Sequence, residues 1–484
     1  MHPALPPTGV VAVVKRDCPT CTMVAPVLAG LTKAGQVNAV VSQDDPGFPE
    51  GIEVLDDTAL DVSWSLNVET VPTLIRIEEG REVARTEGWS RPAWEDLLGG
   101  ADVGRLAVGL PDFRPGCGSL SVDPARAEEL AVRHGGASLA SRRIEIGAQE
   151  DELEAMWDRG WSDGLPVVPP TPGRVLRMLA GTDRAPSEVV AVVPPDLVPC
   201  TVEKVAVNAV LAGCRPEYLP VVLAAVETAC TDEFNVHGLL ATTYFSGPLV
   251  IVNGPVATAI GMNSGGNALG QGNRANSTIG RALQLVVRNV GGGRPGGVDR
   301  ATLGNPGKVG WAFAEAEAES PWEPLSVWRG LPPGQSAVTL FAAAGVTPVV
   351  DQSSRTAESL ARSFAAVLRG VAHPKLVIAF DAGVVVCPEH ARVFREAGWD
   401  RARLMAELGE LLTLDGAELV KGAGGIEEGL PQWAAGRSLP KFRDGGLLIV
   451  HAGGTAGMFS AVIGGWASGP TGSVPVTRPV RWPV

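Results

Sequence analysis

Residues 10–14 (VVAVV) are an unbroken β-branched and apolar run of strand length. After the turn at 15–18, apolar positions recur at helical spacing until Gly35, a helix stop. The segment QVNAVVSQD reads as a second strand, and residues 57–66 can form a helix. VPTLIRIEEGREVARTEGW alternates as a hairpin with Glu79-Gly80 at its turn, and RPAWEDLLGG closes as a helix with Pro at its first turn and Gly beyond its end. The order β-α-β-α-β-β-α over residues 1–100 predicts a small α/β layer domain. Residues 101–150 change to a Gly/Pro-rich stretch, then a helix that starts after Asp123, with Pro124 in its first turn and Gly135 as its stop. From 151 to 484 strands and helices alternate again. Helices are predicted from Thr201 to Ala212 and from Glu217 onward, with a long one after the glycine-rich run at 261–276. Strands are predicted at Ser336–Ala342, Lys375–Phe380 and Leu447–His451. The fold class is therefore α/β, with an N-terminal domain (1–100), a connector (101–150) and a larger α/β domain (151–484) that two subdomains could share.

With 484 residues the chain exceeds a single core, and two to four domains are expected. A net charge of −13 argues against nucleic acid and against an anionic membrane as partner. Apolar runs such as 249–252 and 376–380 fall far short of a membrane span, and the N-terminus lacks the pattern of a signal peptide, so a cytoplasmic location is expected. Seven cysteines, an odd count in a long chain, argue against a disulfide framework.

One cysteine pair has a chemical spacing. Cys18 stands between a strand and a helix, where the positive helix terminus favours a thiolate, and Cys21 is one turn away and can resolve a mixed disulfide. A zinc half-site would need a second Cys/His pair, and residues 1–100 hold none. The C-P-T-C pair followed by V-P-T at 71–73 resembles the thioredoxin superfamily over residues 8–100. That resemblance implies a cis peptide at Pro72, a Pro72 that faces the cysteine pair, and an external thiol or thioredoxin-reductase-type electron donor. Asp17 stands where that family usually has Trp, and Pro-Thr replaces Gly-Pro between the cysteines.

Cys117, in PDFRPGCGSL, sits between glycines in the connector, which reads as a tether long enough to carry its thiol both to Cys18 and to the next domain; a buried or incidental loop cysteine is the alternative. GWSDGLPVVPPTPGRV, VEKVAVNAVLAGCRPEYLPVVLAAVE, GNRANSTIGRAL and SPWEPL resemble the UGSC family, named for a selenocysteine-Gly-Ser-Cys motif, over residues 151–484. The resemblance implies that Cys117, Gly118 and Ser119 take the first three motif places, and Leu120 departs from the fourth.

The loop NSGGNALGQGNRANSTIG offers Asn263, Asn267, Asn273, Arg274 and Ser277 at a helix start, with Ser277 or Thr278 as cap, and suits a small anionic group; a long ordered turn is the alternative. Glu389 and His390 follow Cys387 and Pro388 at another helix start, as an acid–base pair or with His390 as a metal ligand. His237 and His451 could converge with His390, joined by Glu315 or Glu319. Cys200, Cys214 and Cys230 read as core.

These residues support a thiol-dependent redox enzyme acting on a small anionic substrate, with Cys117 as reactive thiol and Cys18/Cys21 as recycling dithiol, or sulfur transfer through a Cys117 persulfide. A His-centred lyase or hydrolase, with a metal possible, is a second reading. A thiol-exchange adaptor that docks through Trp-rich turns such as GWSDG and SPWEPLSVW is a third. Expected partners are a small-molecule substrate and a redox partner, with a homo-oligomer left open.

Overall fold

Strand β1 (Gly9–Val14) is buried along nearly its whole length, because its apolar run has neighbours on both sides and cover on both faces. The computed structural model that places it describes residues 3–134, 139–147, 149–422, 424–426, 428–469 and 472–482. It is an α/β protein of two compact units, Met1–Ala137 with Thr171–Leu176, and Ser138–Pro170 with Arg177–Val484. Among the described residues no helix is long and apolar enough to cross a membrane.

In the first unit α1 (Pro19–Lys33) follows β1, then β2 (Ala39–Ser42), β3 (Leu55–Asp56), α2 (Asp61–Ser65), β4 (Thr70–Val71), β5 (Thr73–Glu78), β6 (Arg81–Glu87), β7 (Trp89–Ser90) and α3 (Arg91–Leu97). The sheet order is β3-β2-β1-β5-β6, with β1 parallel to β2 and antiparallel to β5. The β5–β6 turn is made by Glu79 and Gly80, both at positive φ (48° and 76°), as a tight hairpin requires. The Val71–Pro72 peptide is cis.

The stretch expected to be a tether is built into this unit. β8 (Phe113–Arg114) pairs with β7, and β9 (Cys117–Gly118) pairs with β4, which sets Cys117 opposite Val71. Helix α4 (Pro124–His134) follows, and its expected stop, Gly135, lies outside the described residues. Residues 101–134 thus belong to the first unit and do not form a free connector.

Further along the chain come α5 (Glu152–Asp158), α6 (Pro172–Leu179), the hairpin β10 (Val189–Val193) and β11 (Val198–Thr201), α7 (Val202–Ala212), α8 (Leu219–Ala229) and α9 (Val236–Ala241). Gly213 ends α7 at a φ of 86°, the stop its position predicted. There follow β12 (Gly247–Asn253), α10 (Pro255–Ala259), α11 (Arg274–Asn289), β13 (Ala312–Ala314), α12 (Leu325–Trp328), β14 (Ala337–Val350), α13 (Ala357–Arg369), β15 (Phe380–Val386), α14 (Pro388–Glu396), α15 (Arg401–Leu411), β16 (Thr413–Asp415), α16 (Gly416–Leu419), β17 (Ser438–Pro440), β18 (Leu447–His451), β19 (Phe459–Ala467) and β20 (Val476–Pro479).

The large sheet runs β13-β12-β14-β19-β15-β18, with β20 beside β14. This order is symmetric. A parallel pair, β12 with β13, flanks β14; a second parallel pair, β15 with β18, flanks β19; and β14 and β19 join antiparallel at the centre. One core cluster takes inward residues from all six strands, among them Ile251, Phe313, Phe341, Val385, Val450 and Ile463. A backbone bond from Ala316 N to His451 O (2.8 Å) ties the two outer strands at their ends. Helices α13, α14 and α15 cover β15 and β18 through Leu360, Phe364, Phe394 and Leu404.

Two expectations change. The strand expected at 375–380 begins only at Phe380, because Ile378 has a left-handed φ of 60° that no strand continues. The cap of α11 is Asn273, whose Oδ1 accepts from Asn276 N at 3.0 Å, so the helix starts before Ser277 and Thr278.

Candidate functional site

Three thiols meet in the first unit. Cys18 is the N-cap of α1 and its Sγ accepts from Cys21 N at 3.4 Å. The Cys18 thiol lies 3.5 Å from the Val71 carbonyl, next to cis Pro72. Cys117, held opposite Val71, brings its own side chain within hydrogen-bonding reach of Cys18. All three cysteines are free; Cys18 is 1% exposed and Cys21 fully buried, while Cys117 is the partly open one.

The thiols are not equivalent. The Cys21 side chain, bonded to Cys18, is the largest influence bringing the Cys18 thiol down to about 5; burial opposes it, and Cys117 and the backbone N–H groups of Cys21 and Thr20 add to the lowering. Burial pushes Cys21 far up, and the neighbouring Cys18 pushes it further. Cys117 is also raised, by burial first and then by Cys18. A single negative charge therefore settles on Cys18.

A dense set of bonds holds Cys117 there. Lys15 Nζ donates to Gly118 O (2.8 Å) and Thr20 Oγ1 to Pro115 O (2.7 Å). Gln43, fully buried, donates from Nε2 to Ser63 Oγ (2.8 Å) and Ser119 Oγ (2.6 Å), and its Oε1 accepts from Leu120 N (3.0 Å). Ser63 in turn donates to Asp57 Oδ2 (2.6 Å), and Ser121 to Val68 O (2.7 Å). Gly116 permits the approach, since a Cβ there would stand 2.7 Å from Val71 O. The expectation that Cys117 swings between domains is thus corrected: the polar groups of its segment named here are bonded to Lys15, Thr20, Gln43 and Val68. Sequence reasoning missed Gln43, Ser63 and Asp57, which lie 54 or more positions from Cys117 and carry no motif.

In the second unit the residues of the glycine-rich loop are largely occupied in shaping it. Asn263 Oδ1 accepts from Gly265 N (2.9 Å), and Asn263 Nδ2 donates to Gly266 O (2.9 Å). Asn267, at a φ of 61°, donates to Gln271 O (2.7 Å), Asn273 Nδ2 donates to Gly261 O (2.8 Å), and Arg274 Nε donates to Gly213 O (2.9 Å). Ser277 lies within the first turns of α11. The loop meets the turn after β18 through Gly453 N to Ser264 O (2.9 Å).

The three histidines do not converge as a set. His237 is exposed on α9, whereas His390 and His451 are buried. His390 Nδ1 is 2.7 Å from Ser460 Oγ and its Nε2 is 2.9 Å from the Asp351 carbonyl. A carbonyl only accepts, so Nε2 carries the proton. His451 Nδ1 is 3.0 Å from Val386 O, and its Nε2 has no partner among the described residues. Burial holds His451 below its ordinary value. Glu389 points elsewhere, accepting from Gly457 N (3.3 Å), so it and His390 do not act on one atom. Among the described residues no group of three or more His, Cys, Asp and Glu is placed to hold a metal ion.

Glu315 belongs to a separate buried cluster. Its carboxylate accepts from Asn253 Nδ2 (2.6 Å) and Leu325 N (2.7 Å) and faces Arg401 at 3.4 Å. Of the two tryptophans in the turn expected to be exposed, Trp322 is buried at 6% and its Nε1 donates to Trp399 O (3.1 Å), whereas Trp328 is 40% exposed, with the Arg401 guanidinium 5.7 Å from its ring. Cys200 and Cys214 are core thiols, Cys230 is half-buried, and burial raises each to about 12.

No family model and no curated protein matches this chain.

Proposed function

We propose that this protein is a thiol–disulfide oxidoreductase whose first unit is thioredoxin-like and whose attacking group is Cys18. The convergence of Cys18, Cys21 and Cys117 around one low-pKa sulfur carries this reading. The sheet order β3-β2-β1-β5-β6, the helix-capping Cys18 and the cis peptide before Pro72 support it.

The Cys18 thiolate attacks a substrate disulfide, forming one S–S bond and releasing one substrate thiolate, which takes a proton from water. Cys21 or Cys117 then gives up its proton and attacks Cys18 Sγ. The second substrate thiolate leaves, the substrate has gained two electrons, and the enzyme holds a disulfide. An external dithiol, of the thioredoxin-reductase-linked kind, restores the thiols. Cys117 is a neighbouring resolving thiol in this scheme, since the raised pKa set by burial and by Cys18 disfavours it as first attacker. The C-G-S run at 117–119 would then serve the UGSC-like resemblance with Cys21 and Cys18 supplying what Leu120 lacks.

A Cys21→Ser variant treated with one equivalent of hydroxyethyl disulfide is expected to accumulate a Cys18–Cys117 linkage, read by non-reducing peptide mapping. The wild type is expected to give Cys18–Cys21 alongside it. A variant that holds only the Cys18–reagent adduct, with no linkage to Cys117, overturns the role of Cys117.

A further inference from the structure

The symmetric sheet of the second unit exposes a departure from its own symmetry. In one half β12 ends in Asn253, Gly254 caps α10, and Pro255 starts that helix. In the other half β15 ends in Val386, Cys387 caps α14, and Pro388 starts that helix. Each helix start is tied down by a serine at or beside the neighbouring central strand: Ser336 Oγ accepts from Val256 N (3.0 Å), and Ser460 Oγ accepts from Cys387 N (3.0 Å). The first half does this with Gly254 and Ala257 at the positions that Cys387 and His390 hold in the second. The cap therefore needs neither a thiol nor an imidazole.

Cys387 and His390 are nonetheless buried together, 4% and 0% exposed. The Ser460 hydroxyl stands 2.7 Å from His390 Nδ1, the nitrogen left without a proton once Nε2 donates to Asp351 O. The Cys387 side chain lies beside both. Burial opposes it, yet His390 and Ser460 together bring the Cys387 thiol below its ordinary value. Gly453, at a φ of 127°, lies over this thiol without a side chain; a Cβ there would stand 3.7 Å from Cys387 Cα and Cβ.

A cleft of about 350 Å³ opens along α14 from Pro388, the residue after Cys387, lined by Pro388, Glu389, Arg392 and Arg395 with Glu319 and Thr455. Glu389 is engaged by Gly457 N, and Glu319 faces His451. Arg392 and Arg395 make no hydrogen bond or ion pair among the described residues, and both line the cleft. Paired guanidinia of this kind suit a carboxylate.

We propose that Cys387 is a second nucleophilic thiol, served by His390 as base, and that the cleft holds a small carboxylate-bearing electrophile for it through Arg392 and Arg395. In the reaction the thiol proton passes to His390 Nδ1, an S–C bond forms at Cys387, and the leaving group departs with the electron pair of the broken bond.

Iodoacetate and iodoacetamide test this on the reduced full chain, with each cysteine followed by peptide mass spectrometry. Iodoacetate is expected to alkylate Cys387 at least about 10-fold faster than Cys200, Cys214 or Cys230. It is also expected to outpace iodoacetamide at Cys387, the reverse of the order for an ordinary thiolate. In an Arg392→Ser/Arg395→Ser variant that preference disappears while iodoacetamide still labels Cys387. Labelling of Cys387 no faster than the three core cysteines overturns the proposal, and so does an unchanged preference in the double variant. The outcome is independent of Cys18, because each thiol is read on its own peptide.

Discussion

Replacing Cys18 with serine removes disulfide reduction to at least about 10³-fold below the wild type, since a hydroxyl at that position supplies no nucleophile at neutral pH. The same sulfur should betray itself by its pH dependence. Alkylation of Cys18 by iodoacetamide rises as pH climbs through about 5, where the thiolate forms, and is flat from there through neutrality. Because the Cys21 hydrogen bond is the largest influence lowering this thiol, Cys21→Ala, which removes the donor, moves the midpoint up further than Cys117→Ala does. The sign for stability follows from linkage. With a folded pKa below the unfolded one, the unfolded chain binds the extra proton, so reduced protein gains stability as pH rises from about 5 toward the ordinary thiol range and loses it on acidification through about 5. A Cys18 midpoint near that of a free cysteine would falsify this assignment.

Arg401→Met should destabilise the second unit by about 3–5 kcal/mol, read from thermal or urea unfolding of the full chain. Arg401 is 2% exposed and Glu315 4%, and they face each other at 3.4 Å. Removing the guanidinium leaves Glu315 buried without its cation, while Asn253 and Leu325 still donate to it. Burial already raises the Glu315 pKa, and Arg401 is one of the influences that lower it, so the variant's pKa climbs further. A carboxyl raised on folding binds its proton more tightly in the folded state. The variant therefore loses stability as pH rises from the ordinary carboxyl range through the folded pKa, and its deficit is larger at pH 8 than at pH 5. Adding Glu315→Gln recovers a substantial part of the loss, because no charge is then buried alone. Equal destabilisation in the single and double variants would contradict a role for the pair.

Local signals located much of the first unit. The apolar run before Cys18, the Gly35 stop and the Glu79-Gly80 turn are each set by nearest neighbours, and β1, α1 and the β5–β6 hairpin follow them. Leu447–His451 likewise forms the strand its continuous apolar run predicts, whereas at 375–380 the left-handed Ile378 overrode a similar run. The long strand β19 was illegible, because FSAVIGGWA mixes small and polar residues that acquire a face only beside β14 and β15.

The sequence by itself determined the α/β class and the chemical promise of the Cys18–Cys21 pair, because strand and helix periodicity and a three-residue spacing are local properties. Only the tertiary structure decided where Cys117 goes. Its segment reads as a flexible Gly/Pro link, and its fixed place comes from partners distant in sequence: Val71 across β4, Lys15, Thr20 and the Gln43 amide. The same holds for Cys387, whose distinction lies in Ser460 and Asp351 around His390 and in a sheet symmetry that no short window of sequence contains. Hydrogen bonds and burial across such separations arise when the chain closes on itself, so the residues that make these thiols different from ordinary cysteines could be named only after folding.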